Sequence, residues 1–262
     1  MVKVKFKNEM DQHLLRIKLR EQQLMWRIVN DQEIEIFDHD VERISHWLAE
    51  LFFYYDLRST LKDRLINHYY YYDFNEIDTI LAIAAQILLT EQYKGVSFLT
   101  DLYVTYQSYF KLEDKKDLYD YELTIQQFYH QADWVIDEVV ARAIDEKKQD
   151  ESYQIFLQSL RDFVKERALG AICYLKQDAD QLRIYQDGGK RYQNHELDQL
   201  IMSTPLHIYD FSYDDECLCP LLALNPKNLY IYSDAQTDPI LTTLQNVFEE
   251  RVIICPEHAF PY

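Results

Sequence analysis

Leu229–Ile254 reads LYIYSDAQTDPILTTLQNVFEERVII, and this stretch decides the architecture of the chain's second half. Leu229–Tyr232 is a short apolar and aromatic run that suits a strand. Asp238 followed by Pro239 opens a helix over Pro239–Phe248, because proline's fixed φ and missing N–H cost nothing in the first helical turn. Val252–Ile254 then reads as a second strand. A strand, a helix and a strand in this order make a β-α-β unit, whose parallel strands cross over right-handedly.

Upstream of this unit the same texture reaches back to about Gly170. Ala171–Lys176 and Gln181–Gln186 read as strands, with the turn Asp187-Gly188-Gly189 after them. Short helices are expected around Glu196–Met202 and Asp214–Leu224. Before Gly170 the period is helical. Val41, Ile44, Leu48, Leu51 and Tyr55 form one stripe, with Asp40 available as its cap. A second helix is expected through Leu61, Leu65 and the run Tyr69-Tyr70-Tyr71-Tyr72. Asp73-Phe74-Asn75-Glu76 has capping-box spacing and starts a third, largely apolar helix, so that helix should sit centrally. Ser97 can cap a fourth helix bearing Phe98, Leu102, Tyr106 and Tyr109. A long helix is expected from Asp117 to Lys147, then a loop or kink over the charged stretch Asp145–Glu151, then a helix with Tyr153, Phe156, Leu160 and Phe163 inward. At the other end, Val2, Val4 and Phe6 alternate with lysines as a half-buried strand does, and Leu24–Val29 and Glu33–Phe37 flank a plausible turn. The expectation is an α+β, mainly helical chain. It has an N-terminal β/α element over residues 1–37 packed on a helical body at 38–169, and a C-terminal α/β subdomain at 170–262.

The totals agree with this. Only four glycines occur among 262 residues, which suits helices joined by simple loops and argues against a hairpin-rich all-β fold. The net charge is −18, although residues 1–30 carry seven basic and three acidic side chains. Such a field disfavours nucleic acid and anionic membrane surfaces as partners. The alternating start is not a secretory signal, and the longest apolar stretch, Ile77–Leu89, contains Asp78, Thr79 and Gln86, too polar to span a bilayer. Four cysteines without a signal are expected as reduced thiols, which places the chain in the cytoplasm.

Candidate sites are few. Cys217-Leu218-Cys219 separates its thiols by one residue, where structural zinc sites use two to four, so both are read as packed thiols and no metal is expected. His130, Asp133 and Asp137 stand at i, i+3 and i+7 of the expected long helix and would share a face, the pattern by which bundles build metal or acid–base sites. A solvated face explains them better, because no matching ligands stand on a facing helix and surface carboxylates are expected of an acidic chain. Tyr69–Tyr72 are four consecutive rings in a chain of 22 tyrosines. On a helix they would point in all directions, so some would meet solvent or a partner surface. The loop Ser233–Asp238 leaves a parallel strand where ligands bind in open α/β sheets, but it has no glycine to cradle a phosphate, and Thr237 and Asp238 are read as helix caps. No phosphate-binding loop, dinucleotide fingerprint, nucleophile elbow or zinc-protease motif is present, and no cofactor is implied.

Ala143-Ile144-Asp145-Glu146, Tyr153-Gln154, Phe156 and Leu160-Arg161-Asp162-Phe163-Val164 carry a resemblance, which the tail extends through Asn225-Pro226-Lys227, Tyr230-Ile231-Tyr232, Leu244-Gln245-Asn246-Val247-Phe248 and Arg251-Val252. Over residues 140–255 the chain resembles the YtxC-like family of proteins associated with endospore formation. That resemblance implies a cytoplasmic sporulation protein with no established catalytic residues. The expected function is a non-enzymatic factor that binds a protein partner or itself through Tyr69–Tyr72. The alternative is an enzyme or metal-binding protein with a site between helical body and tail, with His130, Asp133 and Asp137 as its residues.

Overall fold

The computed structural model describes residues 1–37, 41–91, 97–112, 118–178, 181–204, 217–234 and 238–262. The expected caps Asp40 and Thr237, and the expected helix starts Asp117 and Asp214, lie outside them. The chain divides into two units, Met1–Asp150 and Glu151–Tyr262.

The first unit opens with strand β1 (Val2–Lys5), helix α1 (Glu9–Glu21) and the hairpin β2 (Trp26–Asn30) and β3 (Glu33–Ile36). β1 pairs antiparallel with β3, Val2 opposite Ile36 and Val4 opposite Ile34, so these side chains share the buried face. The lysines between them turn the other way and meet acids, Lys3 with Glu35 and Lys5 with Asp120 at 3.2 Å. The short strand β4 (Tyr119–Asp120) adds to β1 in parallel and completes the sheet order β2-β3-β1-β4.

One core is shared by this sheet, α1 and helices α2 (Val41–Phe52), α3 (Arg58–His68), α4 (Phe74–Leu89), α5 (Ser97–Phe110) and α6 (Tyr121–Gln131), with the start of α7 (Asp133–Glu166). A π-turn, Phe53–Leu57, joins α2 to α3 without a break in the helix. Its i→i+5 closure skips a carbonyl of the α-helical ladder, and phenol donors reach the carbonyls just before it: Tyr106 Oη donates to Ala49 O at 2.7 Å and Tyr121 Oη to Leu48 O at 3.5 Å. Phe52 sits among Phe110, Phe128 and Tyr129, with ring centroids 5.3, 5.1 and 5.6 Å away. Tyr106 and Tyr121 are therefore core residues, with their hydroxyls bonded to backbone.

Three helix expectations are corrected. The Tyr69–Tyr72 run does not continue α3. The helix stops at His68, Tyr70 takes a φ of +60°, and the Tyr71 N–H turns back onto Leu65 O at 3.1 Å. The helix expected over Asp117–Lys147 starts later and is interrupted. Tyr119 and Asp120 are extended because they pair with β1, and Asp120 caps α6 by accepting from Leu123 N–H at 3.1 Å. At buried Ala132 the chain leaves helical geometry, and α7 begins at Asp133. Asp145–Glu151, expected as a loop or kink, stays within α7. Its Glu, Lys and Gln are strong helix formers with opposite charges at helical spacing, and neither glycine nor proline interrupts them.

The second unit begins with the end of α7, whose Leu157, Leu160, Phe163 and Val164 enter a separate core. Strands β5 (Cys173–Asp178) and β6 (Gln181–Gln186) form a hairpin, followed by α8 (Asn194–Met202), α9 (Leu218–Leu224), β7 (Leu229–Tyr232), α10 (Pro239–Phe248) and β8 (Val252–Cys255). The sheet order is β6-β5-β7-β8, with β5, β7 and β8 parallel. This is the expected tail with its closing β-α-β unit, and the whole is α+β and mainly helical. Asp238 caps α10 by accepting from Ile240 N–H at 2.9 Å, with Pro239 in the first turn. Among the described residues no helix is long and apolar enough to cross a membrane.

Candidate functional site

The tyrosine run forms the turn between α3 and α4. Asp73 fixes its far end by accepting from Asn75 N–H at 2.7 Å and Glu76 N–H at 3.2 Å. Tyr71 packs against the core, which anchors the middle of the turn. The rings on either side stay in solvent: Tyr69 is 38% exposed, Tyr70 71% and Tyr72 67%, with Phe74 at 69%. Lys62 Nζ lies 5.1 Å from the Phe74 ring centroid. Burial pushes the Tyr69 phenol above its ordinary range, and the Asp137 charge adds to this while Arg64 opposes it.

His130 stands in the last turn of α6, while Asp133 and Asp137 lie in the first turns of α7, so the break at Ala132 separates the histidine from the two aspartates. Both aspartates meet one guanidinium, Arg64 Nη2–Asp133 Oδ1 at 3.0 Å and Arg64 Nη1–Asp137 Oδ1 at 2.8 Å. Arg64 thus ties α3 to the start of α7. Among the described residues no three His, Cys, Asp or Glu side chains are arranged to hold a metal ion.

Cys217 and Cys219 are buried at the start of α9, and Cys217 Sγ lies 3.6 Å from Leu182 O. Burial alone pushes the Cys173 thiol up to about 11, so at neutral pH it is the thiol and a poor nucleophile.

One acidic group escaped the sequence reading. Asp11 on α1 is only 7% exposed, and its carboxyl is raised to about 6, first by burial and then by Asp56 in the π-turn and Glu122 in the first turn of α6. Asp56 is raised as well, by burial and by Glu122. The signal was present, since Asp11, Leu15 and Leu19 stand at i, i+4 and i+8 and place a carboxylate on the helix's apolar stripe.

The polar groups of the second unit converge on Asn225. This residue ends α9 in left-handed backbone, φ +43°, and is 1% exposed. Its Nδ2 reaches the carbonyls of Val164, Arg167 and Ala168 at 3.0, 3.2 and 3.1 Å, while its Oδ1 accepts from Arg251 Nη1 at 2.9 Å. Arg167 in turn donates to the α9 carbonyls Leu222 O and Ala223 O. Gly170 passes so close that a Cβ there would lie 2.1 Å from Leu224 O. These groups satisfy the orphan carbonyls at two helix ends.

A profile of the YtxC-like family matches residues 42–253. The chain belongs to the YtxC-like family. A relative from Bacillus subtilis (strain 168), "Uncharacterized protein YtxC", is 30% identical over 126 residues, covering 47% of this chain and 43% of the relative. The chain thus spans less than half the length of the curated relative it matches. No solved structure matches. In this YtxC-like chain the residues that carried the resemblance have structural work. Asn225 and Arg251 make the lock just described, and Arg161 Nε donates to Asn246 O at 2.7 Å.

Proposed function

We propose that this YtxC-like chain is a non-enzymatic, cytoplasmic protein-interaction factor in endospore formation, with Tyr69, Tyr70 and Tyr72 as its partner surface and Phe74 beside them. The observation that carries this reading is the set of rings held exposed on a turn fixed by α3, Tyr71 and the Asp73 cap. Exposed aromatic side chains on a rigid mount lose little freedom when covered, and such residues dominate the energy of protein interfaces. The net charge of −18 favours a protein partner over nucleic acid. The alternative site at His130, Asp133 and Asp137 gains nothing from the geometry, because Arg64 neutralises both aspartates.

The test is cross-linked capture from sporulating cells with the native chain and with a Tyr70→Ala, Tyr72→Ala, Phe74→Ala triple variant. A partner recovered by the native chain should be lost with the triple variant while its helical circular dichroism is unchanged. An identical set of captured proteins from both chains, or turnover of a defined small molecule by the pure protein, overturns the reading.

A further inference from the structure

The second sheet has two unlike faces. Cys173, Leu175, Ile184, Leu229 and Ile231 point into the core with the helices. The residues alternating with them form the opposite face, where the register aligns Tyr185, Tyr174 and Tyr230 in one row and Arg183, Lys176 and Tyr232 in the next. Tyr174 stacks on Tyr230 with centroids 5.2 Å apart and an interplanar angle of 16°.

What lies on this aromatic face is the chain's own segment after β8, residues 256–262. Phe260 packs on Tyr185 and Tyr232 at 5.0 and 5.2 Å, under the Lys176 ammonium at 5.3 Å. The Tyr262 ring stands edge-on to Tyr174 at 5.4 Å. The turn after β6 is shaped for that ring. The Gly188 N–H donates to Tyr262 Oη at 3.1 Å, and a Cβ on Gly189 would sit 2.7 Å from Tyr262 Cδ1 and Cγ.

Among the described residues the covering is incomplete. The segment joins no strand, and its regular structure is one 3-10 turn, Glu257–Ala259. A groove of about 400 Å3 remains beside it, lined by Lys176, Asp234, Glu257, His258, Phe260 and Tyr262. Seven residues held by ring contacts and a few hydrogen bonds, beside a sheet with a full ladder, belong to the part of a fold that opens locally before the rest.

We propose that residues 256–262 are a detachable strap, a peptide docked in cis, which Tyr262 latches at the Gly188–Gly189 turn. The face beneath is a receptor for an extended aromatic–proline–aromatic segment, the chemistry of Phe260-Pro261-Tyr262 itself. This goes beyond the partner surface at Tyr69–Tyr72 and involves none of its residues.

The two glycines provide a matched test. Both have positive φ, +96° and +82°, so alanine strains either one, yet a Cβ at Gly188 meets nothing within 4 Å while one at Gly189 meets the latch ring. Hydrogen exchange of the position-188 amide should be about tenfold faster in Gly189→Ala than in Gly188→Ala, with the Leu175 and Ile231 amides slow in both. Equal rates overturn the latch. Should both substitutions disturb the hairpin, Tyr262→Phe removes only the hydroxyl, and unchanged exchange at position 188 there overturns it equally. A labelled peptide with the sequence of residues 256–262 should bind the Phe260→Ala, Tyr262→Ala chain about tenfold more tightly than the native chain, where the strap competes as a tethered ligand. Failure of that peptide to bind, with the sheet amides still protected, overturns the receptor.

Discussion

Left-handed backbone is where single residues of this chain depart from the usual chemistry. Four residues other than glycine hold positive φ among the described residues: Gln23, Tyr70, Asn225 and Glu249. Gln23 ends α1 in the position glycine normally takes, with its own N–H on Arg20 O and the Leu24 N–H on Leu19 O, each at 3.0 Å. A Cβ in this conformation costs about 1–2 kcal/mol. Part of that relief is cancelled when glycine is introduced, because glycine is freer in the unfolded chain, so Gln23→Gly should stabilise the first unit by about 0.5–1 kcal/mol. Denaturant unfolding read by tryptophan fluorescence checks this, since Trp26, Trp47 and Trp134 all lie in that unit. A loss of stability would mean that the Gln23 side chain makes a contact worth more than its backbone strain. The scarcity of glycine was legible in the sequence, but its consequence was not. A residue forced into this geometry by the turn around it carries no mark in its own identity.

Helix ends are the elements on which the sequence reading succeeded or failed. Two elements of the tail were legible by their punctuation: proline after Asp238 at α10, and Asp187-Gly188-Gly189 after β6. Tyr69–Tyr72 and Asp117–Lys147 were misread for a common reason. In both, the breaking contact is distant in sequence or made by backbone: the pairing of Tyr119 with Val4, and the Tyr71 N–H on Leu65 O. The candidate site fared likewise. Tyr69–Tyr72 were visible as an oddity, whereas the Arg64 clamp on Asp133 and Asp137 depends on a helix 69 residues away from Asp133. Asn225 shows how strongly a helix end can be held. Asn225→Ala removes the contacts of one amide NH2 with three carbonyls, its two hydrogens shared among them, and the Arg251 acceptor, and places a Cβ-bearing residue without a local hydrogen-bonding side chain in left-handed backbone. It should cost the second unit about 3–5 kcal/mol. Asn225→Gly loses the same bonds but keeps the geometry, so it should be milder by about 1 kcal/mol. Tyrosine circular dichroism through a urea titration measures both. Equal losses would show that the side-chain bonds alone hold the junction.

At the scale of the molecule, a chain with net charge −18 spends stability on self-repulsion, and at Asp11 that repulsion adds to the cost of burial. Its carboxyl is raised from 3.8 to about 6 by burial, with Asp56 and Glu122 adding to the shift. A group whose folded pKa lies above its unfolded one binds its proton more tightly in the folded state. Between about pH 4 and pH 6 the folded chain therefore holds the extra proton, and this group's contribution to stability falls as pH rises through that window. Below pH 4 both states are protonated and nothing is lost; above pH 6 the whole penalty is present. The shift corresponds to at most about 3 kcal/mol, and partial hydration of the cluster brings the expectation to about 1–3 kcal/mol. Asp11→Asn keeps the shape and removes the charge. Its stability relative to the native chain should be near zero at pH 4, rise through pH 5, and level off above pH 6.5 in favour of the variant. Denaturant titrations at these pH values, read by tryptophan fluorescence, trace the difference. The general acid unfolding expected of so many carboxylates cancels in the comparison, because both chains share every other group. A variant less stable than the native chain at pH 7 would mean that the Asp11 carboxylate is held by hydrogen bonds that outweigh its burial and its two acidic neighbours.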